Sequence, residues 1–305
     1  MRLMVIRGGD SPEREVSLCT GAAVAKGLRE LGHEVIECDI DALASGALQK
    51  AAPDLVFNAL HGGKGENGII QGAFEVMGIL YTGSGVCASA MAMNKIVSKR
   101  LFQAAGLETP KWYALTKFQY KRIADFCSNS EFWPVVVKPA GLGSTIGISI
   151  AEDERALEAA LEQAFELDEA VLLEQYVGGR EVTVALLDGT PPEALPAVEV
   201  VPNKGFYDYQ AKYTKGATKY IVPAELSEDT KRALAQAAIK AFEVIGCRDI
   251  ARADFIISKD RIWLLEINTL PGMTETSLLP KAAAAAGISF NELLERIVDS
   301  AMLRG

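Results

Sequence analysis

Histidine is nearly missing from this chain. Its 305 residues hold only His33 and His61, which excludes a histidine-rich metal centre. Five cysteines, Cys19, Cys38, Cys87, Cys127 and Cys247, form an odd, scattered set with no C-x-x-C pair. They suit neither a disulfide scaffold nor a zinc site, and read as small buried hydrophobes in a reducing compartment. No apolar run approaches the length of a transmembrane span. A surplus of basic charge is missing too: the formal net charge is −9 and the pI about 5.0. That balance argues against a nucleic-acid partner and against an anionic membrane surface. The first residues read as a strand, then Gly8, Gly9 and charged positions, unlike a secretory signal, so the expected location is the cytoplasm. The G-x-x-x-x-G-K-[ST] fingerprint is also lacking, and the loop after the first strand, "RGGDSPERE", is not G-x-G-x-x-G.

What is present is an ordinary globular balance, 49% hydrophobic and 23% charged. The length suits about two or three domains. Residues 2–7 read as a strand, and Ser11-Pro12 as an N-cap followed by proline at the first helical position, opening a helix to about Leu31. "HEVIECDI" and "DLVFNAL" are further strands, followed by a helix near 69–77 and a short strand "ILYTG". This alternation predicts a parallel sheet flanked by helices. A helix near 94–105 opens the next region, where "WPVVVKPAGLGSTIGISIA" reads as strand, glycine-rich loop, strand. A helix near 153–166 and the strand "AVLLEQYV" follow. Beyond Gly178-Gly179 come the strands "EVTVALLD" and "ALPAVEVV", a long polar and aromatic loop at 203–220, and a helix at 227–245. Long loops in compact domains are often lids. A strand pair, "DIARADFII" and "RIWLLEIN", and a helix after Ser289 complete the pattern.

The last strand poses a problem. Glu266 and Asn268 interrupt an apolar run, and an unpartnered carboxylate is costly to bury. Side chains alternate faces along a strand, so Glu266 and Asn268 share one face, and Arg252 and Asp254 share a face of the preceding strand. With a hairpin loop at Ser258 to Asp260, Arg252 falls opposite Glu266 and Asp254 lies diagonal to it, about 7–8 Å away. Two carboxylates and an amide on one face can converge on Mg²⁺, which takes oxygen ligands together with substrate phosphates. They can equally form a cross-strand Arg252–Glu266 ion pair with the rest solvated.

"GLGSTIG" at 141–147 follows Lys138-Pro139. Its glycines, Gly143 among them, let backbone N–H groups approach an anion, while Ser144 and Thr145 add hydroxyl donors and Lys138 a cation. An ordinary hairpin turn has the same composition; the acidic face downstream favours nucleotide phosphate plus Mg²⁺. His61 begins "HGGKGENG" directly after an apolar strand, where ligands sit in open α/β sheets. The Gly8 to Glu13 stretch occupies the equivalent place after the first strand. Glu174 and Glu181 flank "QYVGGR" at the junction of the second and third regions.

"GGDSPEREVSL", "HGGKGENG", "MNK", "VVKPAGLGSTIG", "EQYVGGREVTVA", "FYDYQAKY", "ARADF" and "LLEINTLPGMTETSLLP" occur in the order found in D-alanine–D-alanine ligases. The chain resembles that ATP-grasp family over essentially its whole length. The resemblance implies an α/β, three-domain ATP-grasp architecture. Residues 1–93 would form an N-terminal parallel, Rossmann-like α/β domain, 94–178 a central subdomain with the glycine loop, and 179–305 a C-terminal subdomain with the lid and metal site. It implies ATP-dependent joining of two D-alanines through a D-alanyl phosphate for peptidoglycan synthesis, with two Mg²⁺ or Mn²⁺ ions, a monovalent cation and a homodimer. Lys95 and Lys138 resemble phosphate-contacting lysines. Glu174 resembles the adenine-side acid, with Gln175, Tyr176 and Val177 around the base, and Glu181 the ribose ligand. Asp254, Glu266 and Asn268 resemble the metal ligands. Glu13 resembles the residue that takes the first D-alanine's ammonium, with His61 near that substrate. Ser144 and Tyr213 resemble the links between glycine loop, lid and Glu13. Lys212, Ser277 and Leu278 resemble the surroundings of the second D-alanine's carboxylate. Arg252 and the Gly272 N–H resemble oxyanion stabilisers.

Two departures stand out. Many relatives carry charged residues where Gly141 and Leu142 stand, and Asp where Asn67 stands. The other readings of the same residues are a D-alanine–D-serine ligase, another ATP-grasp carboxylate–amine ligase, and a nucleotide-binding regulator without catalysis.

Overall fold

The computed structural model describes residues 1–41, 46–118, 133–203, 218–259 and 261–305. Three sheets organise the described chain. The first is parallel, in the order β2-β1-β3, built from β1 (Arg2–Arg7), β2 (Glu34–Asp39) and β3 (Leu55–Asn58). Buried Leu3, Met4, Val5 and Ile6 make β1 the central strand, covered on both faces. Helices α1 (Arg14–Glu30), α2 (Ala47–Ala51), α3 (Ile69–Met77) and α4 (Val86–Met93) connect and follow these strands. Residues 79–83 do not form the expected strand; Tyr81 makes a single parallel bridge to Val56. Helix α1 starts two residues later than a cap at Ser11 implies. The Ser11 hydroxyl accepts from the Glu13 N–H at 3.2 Å and also donates to the His61 carbonyl at 2.6 Å, tying the loop after β1 to the loop after β3.

The second sheet is antiparallel, in the order β4-β7-β5-β6. Its strands are β4 (Trp112–Thr116), β5 (Val135–Pro139), β6 (Ser149–Ala151) and β7 (Ala170–Gln175). Helix α5 (Lys95–Ala104) leads into it, capped by Asn94, whose side chain accepts from the N–H groups of Ile96 and Val97. Helix α6 (Glu154–Leu167), capped by Asp153, packs Leu157, Leu161, Ala164 and Phe165 against one face.

The third sheet runs β11-β10-β8-β12-β13, with β9 paired to β8. Its strands are β8 (Arg180–Leu187), β9 (Glu193–Ala194), β10 (Val198–Pro202), β11 (Thr218–Ile221), β12 (Ile250–Ser258) and β13 (Arg261–Asn268). β11 was not anticipated; it lies in the stretch read as loop. Helix α7 (Glu228–Ile245), capped by Ser227, buries Leu234, Ala238, Ala241, Phe242 and Ile245 beneath the sheet. Helices α8 (Leu278–Ala285) and α9 (Phe290–Met302) then leave the third sheet. Leu293, Leu294, Ile297 and Val298 of α9 join one core with Leu3, Val5, Val24 and Leu28 of the first sheet and α1.

Among the described residues no helix is long and apolar enough to cross a membrane. Four cysteines are described and all are free. Cys38 and Cys247 are buried as expected, whereas Cys19 and Cys87 are exposed; Cys127 lies outside the described residues.

Candidate active site

Two cavities lie along the acidic strand pair. One, of about 460 Å³, is lined by Glu13, His61, Lys95, Ser144, Arg252 and Gly272. The other, of about 410 Å³, lies between the second and third sheets and is lined by Lys138, Thr145, Glu174, Gln175, Tyr176 and Val177. Glu181, Asp254 and Glu266 line both.

The first cavity draws on the loops beyond the carboxyl ends of β1 and β3. Glu13 sits at the entry to α1 and is buried. The Ser144 hydroxyl, from the glycine loop, donates to its carboxylate. Gly62 makes room for that carboxylate: a Cβ there would lie 2.7 Å from Glu13 Oε2. His61 is also buried. Its Nε2 lies 2.9 Å from the Thr20 hydroxyl and its Nδ1 3.4 Å from Glu66 Oε1. Burial raises the Glu66 pKa, as does nearby Glu13, against the opposing pull of His61. Ser144 and Thr145 adopt φ of +52° and +62°. A non-glycine residue in the left-handed region is costly, and two in succession aim the loop's backbone at the cavity rather than along a hairpin. Gly143 lines the same wall. Lys95 opens α5 and donates to the Leu142 carbonyl at 2.5 Å, holding the loop from behind.

The strand pair corrects the expected register. Ser258 pairs with Arg261 rather than lying in the hairpin loop, and a bulge between Asp254 and Phe255 shifts the ladder once more, so Asp254 directly faces Glu266 and Arg252 faces Asn268. Arg252 does not lie opposite Glu266. It grips Asp254 with two bonds of 2.9 Å, while Thr183 donates to the same carboxylate at 2.5 Å. Lys95 Nζ lies 3.7 Å from Glu266 Oε2. Asn268 accepts from the Leu270 N–H at 2.7 Å, which shapes the turn after β13. Beyond it, the Ser277 hydroxyl accepts from the Thr274 N–H at 3.0 Å. A Cβ at Gly272 would lie 2.8 Å from that hydroxyl, so glycine lets the backbone pass close to Ser277. Leu278 opens α8 at the cavity edge.

Asp254 and Glu266 are the paired acids here; among the described residues no group of three or more His, Cys, Asp or Glu forms. A protein-only cage for a hard cation is therefore not built by them. Two carboxylates and the Asn268 amide do fit a site that substrate phosphates complete.

In the second cavity Glu174 is 1% exposed, and Lys138 and Lys99 each pair with one of its oxygens. Burial opposes its charge, but Lys138 and Lys99 outweigh burial and hold its pKa below the usual range. Burial takes Lys99 down to about 8 against the pull of Glu174. Lys99, Glu66, Thr20 and Thr183 escaped the sequence reading. Lys99 had a signal: it lies on the buried stripe of α5 with Lys95 and Phe102. Lys212 and Tyr213 lie outside the described residues.

An antiparallel sheet carrying a glycine loop, set against a second antiparallel sheet that carries paired acids, with lysines between them, defines an ATP-grasp protein. The comparisons narrow the class. A family model described as "D-ala D-ala ligase C-terminus" matches residues 101–299, and one described as "D-ala D-ala ligase N-terminus" matches 42–84. A D-alanine–D-alanine ligase of Syntrophotalea carbinolica is 48% identical, over 99% of this chain and 97% of the relative. The structure of such a ligase from Bacillus anthracis, complexed with ATP, is similar with a TM-score of 0.86 at 33% identity, covering 100% of this chain and 98% of that one. The VanG D-Ala:D-Ser ligase of Enterococcus faecalis gives 0.87 at 28% identity, covering 98% and 99%. The chain belongs to the D-alanine–D-alanine ligase family.

Proposed function

We propose that this protein joins two D-alanines at the expense of ATP, making D-alanyl-D-alanine for peptidoglycan synthesis in the cytoplasm. The observation that carries this reading is the pair Asp254 and Glu266, which face each other and line both cavities. A nucleotide in one cavity and an amino acid in the other would meet at these acids.

In this reading the adenine lies beside Glu174, Gln175, Tyr176 and Val177, and Glu181 takes the ribose. Lys95, Lys138 and the backbone of Gly143, Ser144 and Thr145 hold the phosphates. Asp254, Glu266 and Asn268 would hold two Mg²⁺ or Mn²⁺ ions, which would supply neutralising charge to the phosphates. A monovalent cation completes the expected ion set. Glu13 receives the ammonium of the first D-alanine, and His61 walls its subsite. Both ring nitrogens of His61 lie near protein groups, Thr20 and Glu66, which supports a shaping role. The first D-alanine's carboxylate oxygen attacks the γ-phosphorus, the bond to ADP breaks, and an acyl phosphate forms. The neutral amine of the second D-alanine, placed by Lys212, Ser277 and Leu278, attacks the acyl carbon. Arg252 and the Gly272 N–H stabilise the tetrahedral oxyanion. Phosphate departs and the amine sheds a proton. Tyr213 and Ser144 close lid and glycine loop over Glu13 and keep water from the acyl phosphate.

We assign residues 1–93, 94–178 and 179–305 to three domains, and a homodimer as the working assembly. Exposed Ile69, Val76 and Met77 of α3 and Val86 of α4 support self-association. Sedimentation at micromolar concentration tests it; a monomer there refutes it.

The activity test is phosphate release from ATP with Mg²⁺ and K⁺, with and without D-alanine. D-alanine-dependent release with matching dipeptide is expected. No D-alanine dependence overturns the proposal. The likeness to the VanG D-Ala:D-Ser ligase favours one second reading, D-serine as acceptor. Faster product formation with D-serine than with D-alanine as acceptor would establish it.

A further inference from the structure

Lys99 is 1% exposed and lines neither of the two cavities. It nevertheless ties together three elements that build the second cavity. Its ammonium pairs with one oxygen of Glu174 on β7. It donates to the Thr109 hydroxyl, in the loop before β4. It also donates to the Leu264 carbonyl of β13 at 3.2 Å. Leu264 stands beside the bulge that turns Glu266 toward Asp254, and its N–H donates to the Glu108 carbonyl at 2.8 Å. The second oxygen of Glu174 pairs with Lys138, which does line the cavity.

The charges of this buried row decide what Lys138 can do. Lys138 and Glu174 alone would be a closed, neutral pair, and an anion approaching Lys138 would meet the repulsion of Glu174 at nearly the same range. With Lys99 behind Glu174, the three groups carry one net positive charge, presented on the cavity side. Water cannot screen charges so deeply buried, so that surplus is felt strongly at the wall.

We propose that Lys99 is a positioning residue for the nucleotide: it neutralises Glu174 from behind, so that Lys138 is left with an uncompensated charge for a phosphate. This rests on the reading of the second cavity as the nucleotide site. The charged groups acting on Lys99 are Glu174 of β7, Lys138 of β5 and, farther off, Glu266 of β13. Burial sets its ammonium to titrate at about 8. The cation is therefore present below that pH and lost as pH rises through it.

The test uses the full-length protein and binding alone, without D-alanine. Equilibrium dialysis measures ATP and inorganic tripolyphosphate against the parent, Lys99→Met, Lys99→Met/Glu174→Gln and Lys99→Arg. Lys99→Met should weaken both probes about tenfold. The double variant restores one net positive charge, so tripolyphosphate binding should return to within about threefold of the parent. A merely structural lysine predicts the opposite, with the double variant as weak as the single one or weaker, and that result overturns the proposal. Lys99→Arg keeps the charge and gives a readout should Lys99→Met not fold. Parent binding of tripolyphosphate should fall as pH rises from 7 to 9, and this component should be missing from Lys99→Arg, which does not titrate there. Identical pH profiles overturn the proposal. Failure of the parent to join D-alanine would sink the proposed activity and leave these measurements readable. A parent that binds neither probe defeats the nucleotide reading and this inference together.

Discussion

Asp254 and Glu266 face each other, yet they are held very differently. Arg252 engages both oxygens of Asp254 and Thr183 donates to one of them. The Asp254 side chain is 13% exposed and that of Glu266 33%. The same isosteric change should therefore separate stability from rate. Asp254→Asn breaks a largely buried charged pair and leaves Arg252 without its counter-ion, which costs about 3 kcal/mol. For a chain of this size that is a melting point lower by several degrees. Glu266→Gln takes from buried Lys95 only a longer partner, at 3.7 Å, and Lys95 still donates to the Leu142 carbonyl, so its melting point should fall by less than that of Asp254→Asn. Both should lose turnover by about 10²- to 10³-fold, the scale of removing one electrostatic group from a reacting centre. Thermal melting and steady-state kinetics on the two variants check this. A folded Glu266→Gln with parental turnover would remove Glu266 from the chemistry.

At the scale of elements, the third sheet depends on one close approach. Gly179 stands just before β8, and a Cβ there would lie 2.3 Å from the Ile257 carbonyl oxygen of β12. That obstacle is backbone, so it cannot rotate aside. Gly179→Ala should cost about 2 kcal/mol and loosen the junction between the second and third sheets. A melting curve that superposes on the parent's would contradict it. The parallel first sheet, the glycine loop between β5 and β6, and the pairing of β12 with β13 were legible from alternation and turn residues, whereas β4, β9 and β11 were not. The register of the acids was not. Alternation places Glu266 and Asn268 on one face but says nothing of a hairpin one residue tighter, with Ser258 paired to Arg261, nor of a bulge that inserts Leu265; each shifts the register by one residue, and together they move Glu266 from Arg252 to Asp254. Nor was the start of α1. Ser11 accepts from the Glu13 N–H as an N-cap would, but its hydroxyl also donates to a carbonyl 50 residues away, and the turn it closes precedes a helix that begins at Arg14. Helix α4 went unseen because its run of Ala, Met, Cys and Val carries little periodic contrast. Lys99 was hidden for a related reason: its partners on β7 and β13 are 75 and 165 residues distant, beyond any local pattern.

At the scale of the molecule, the site is assembled from both ends of the chain. The first cavity needs Glu13 and His61 from around the first sheet and Arg252 and Gly272 from around the third. Something must hold those bodies in register, and the last residues do part of this. Helix α9 returns to pack on the first sheet's helices, and Arg304 just beyond it reaches Asp249, the residue before β12. The Arg304 guanidinium donates to Asp249 Oδ2 at 2.9 Å and to the Tyr81 carbonyl at 2.9 Å. Asp249 Oδ2 also accepts from the Gly83 N–H at 2.7 Å, and Ser300 donates to Oδ1 at 2.8 Å. One buried carboxylate thus joins the loop after α3, the third sheet and the C-terminal helix. It stands three residues before Arg252, so movement here displaces the group assigned to the oxyanion. Arg304→Met should cost about 3 kcal/mol, because a fully buried carboxylate loses its counter-ion while keeping only neutral donors. The catalytic consequence should appear chiefly as a raised KM for the D-alanine subsites, which draw on both bodies. The KM for ATP, bound between the second and third sheets, should change less. Equal increases in both would mean that Arg304 supports general stability alone, and a parental melting point would show that the neutral donors suffice to hold Asp249.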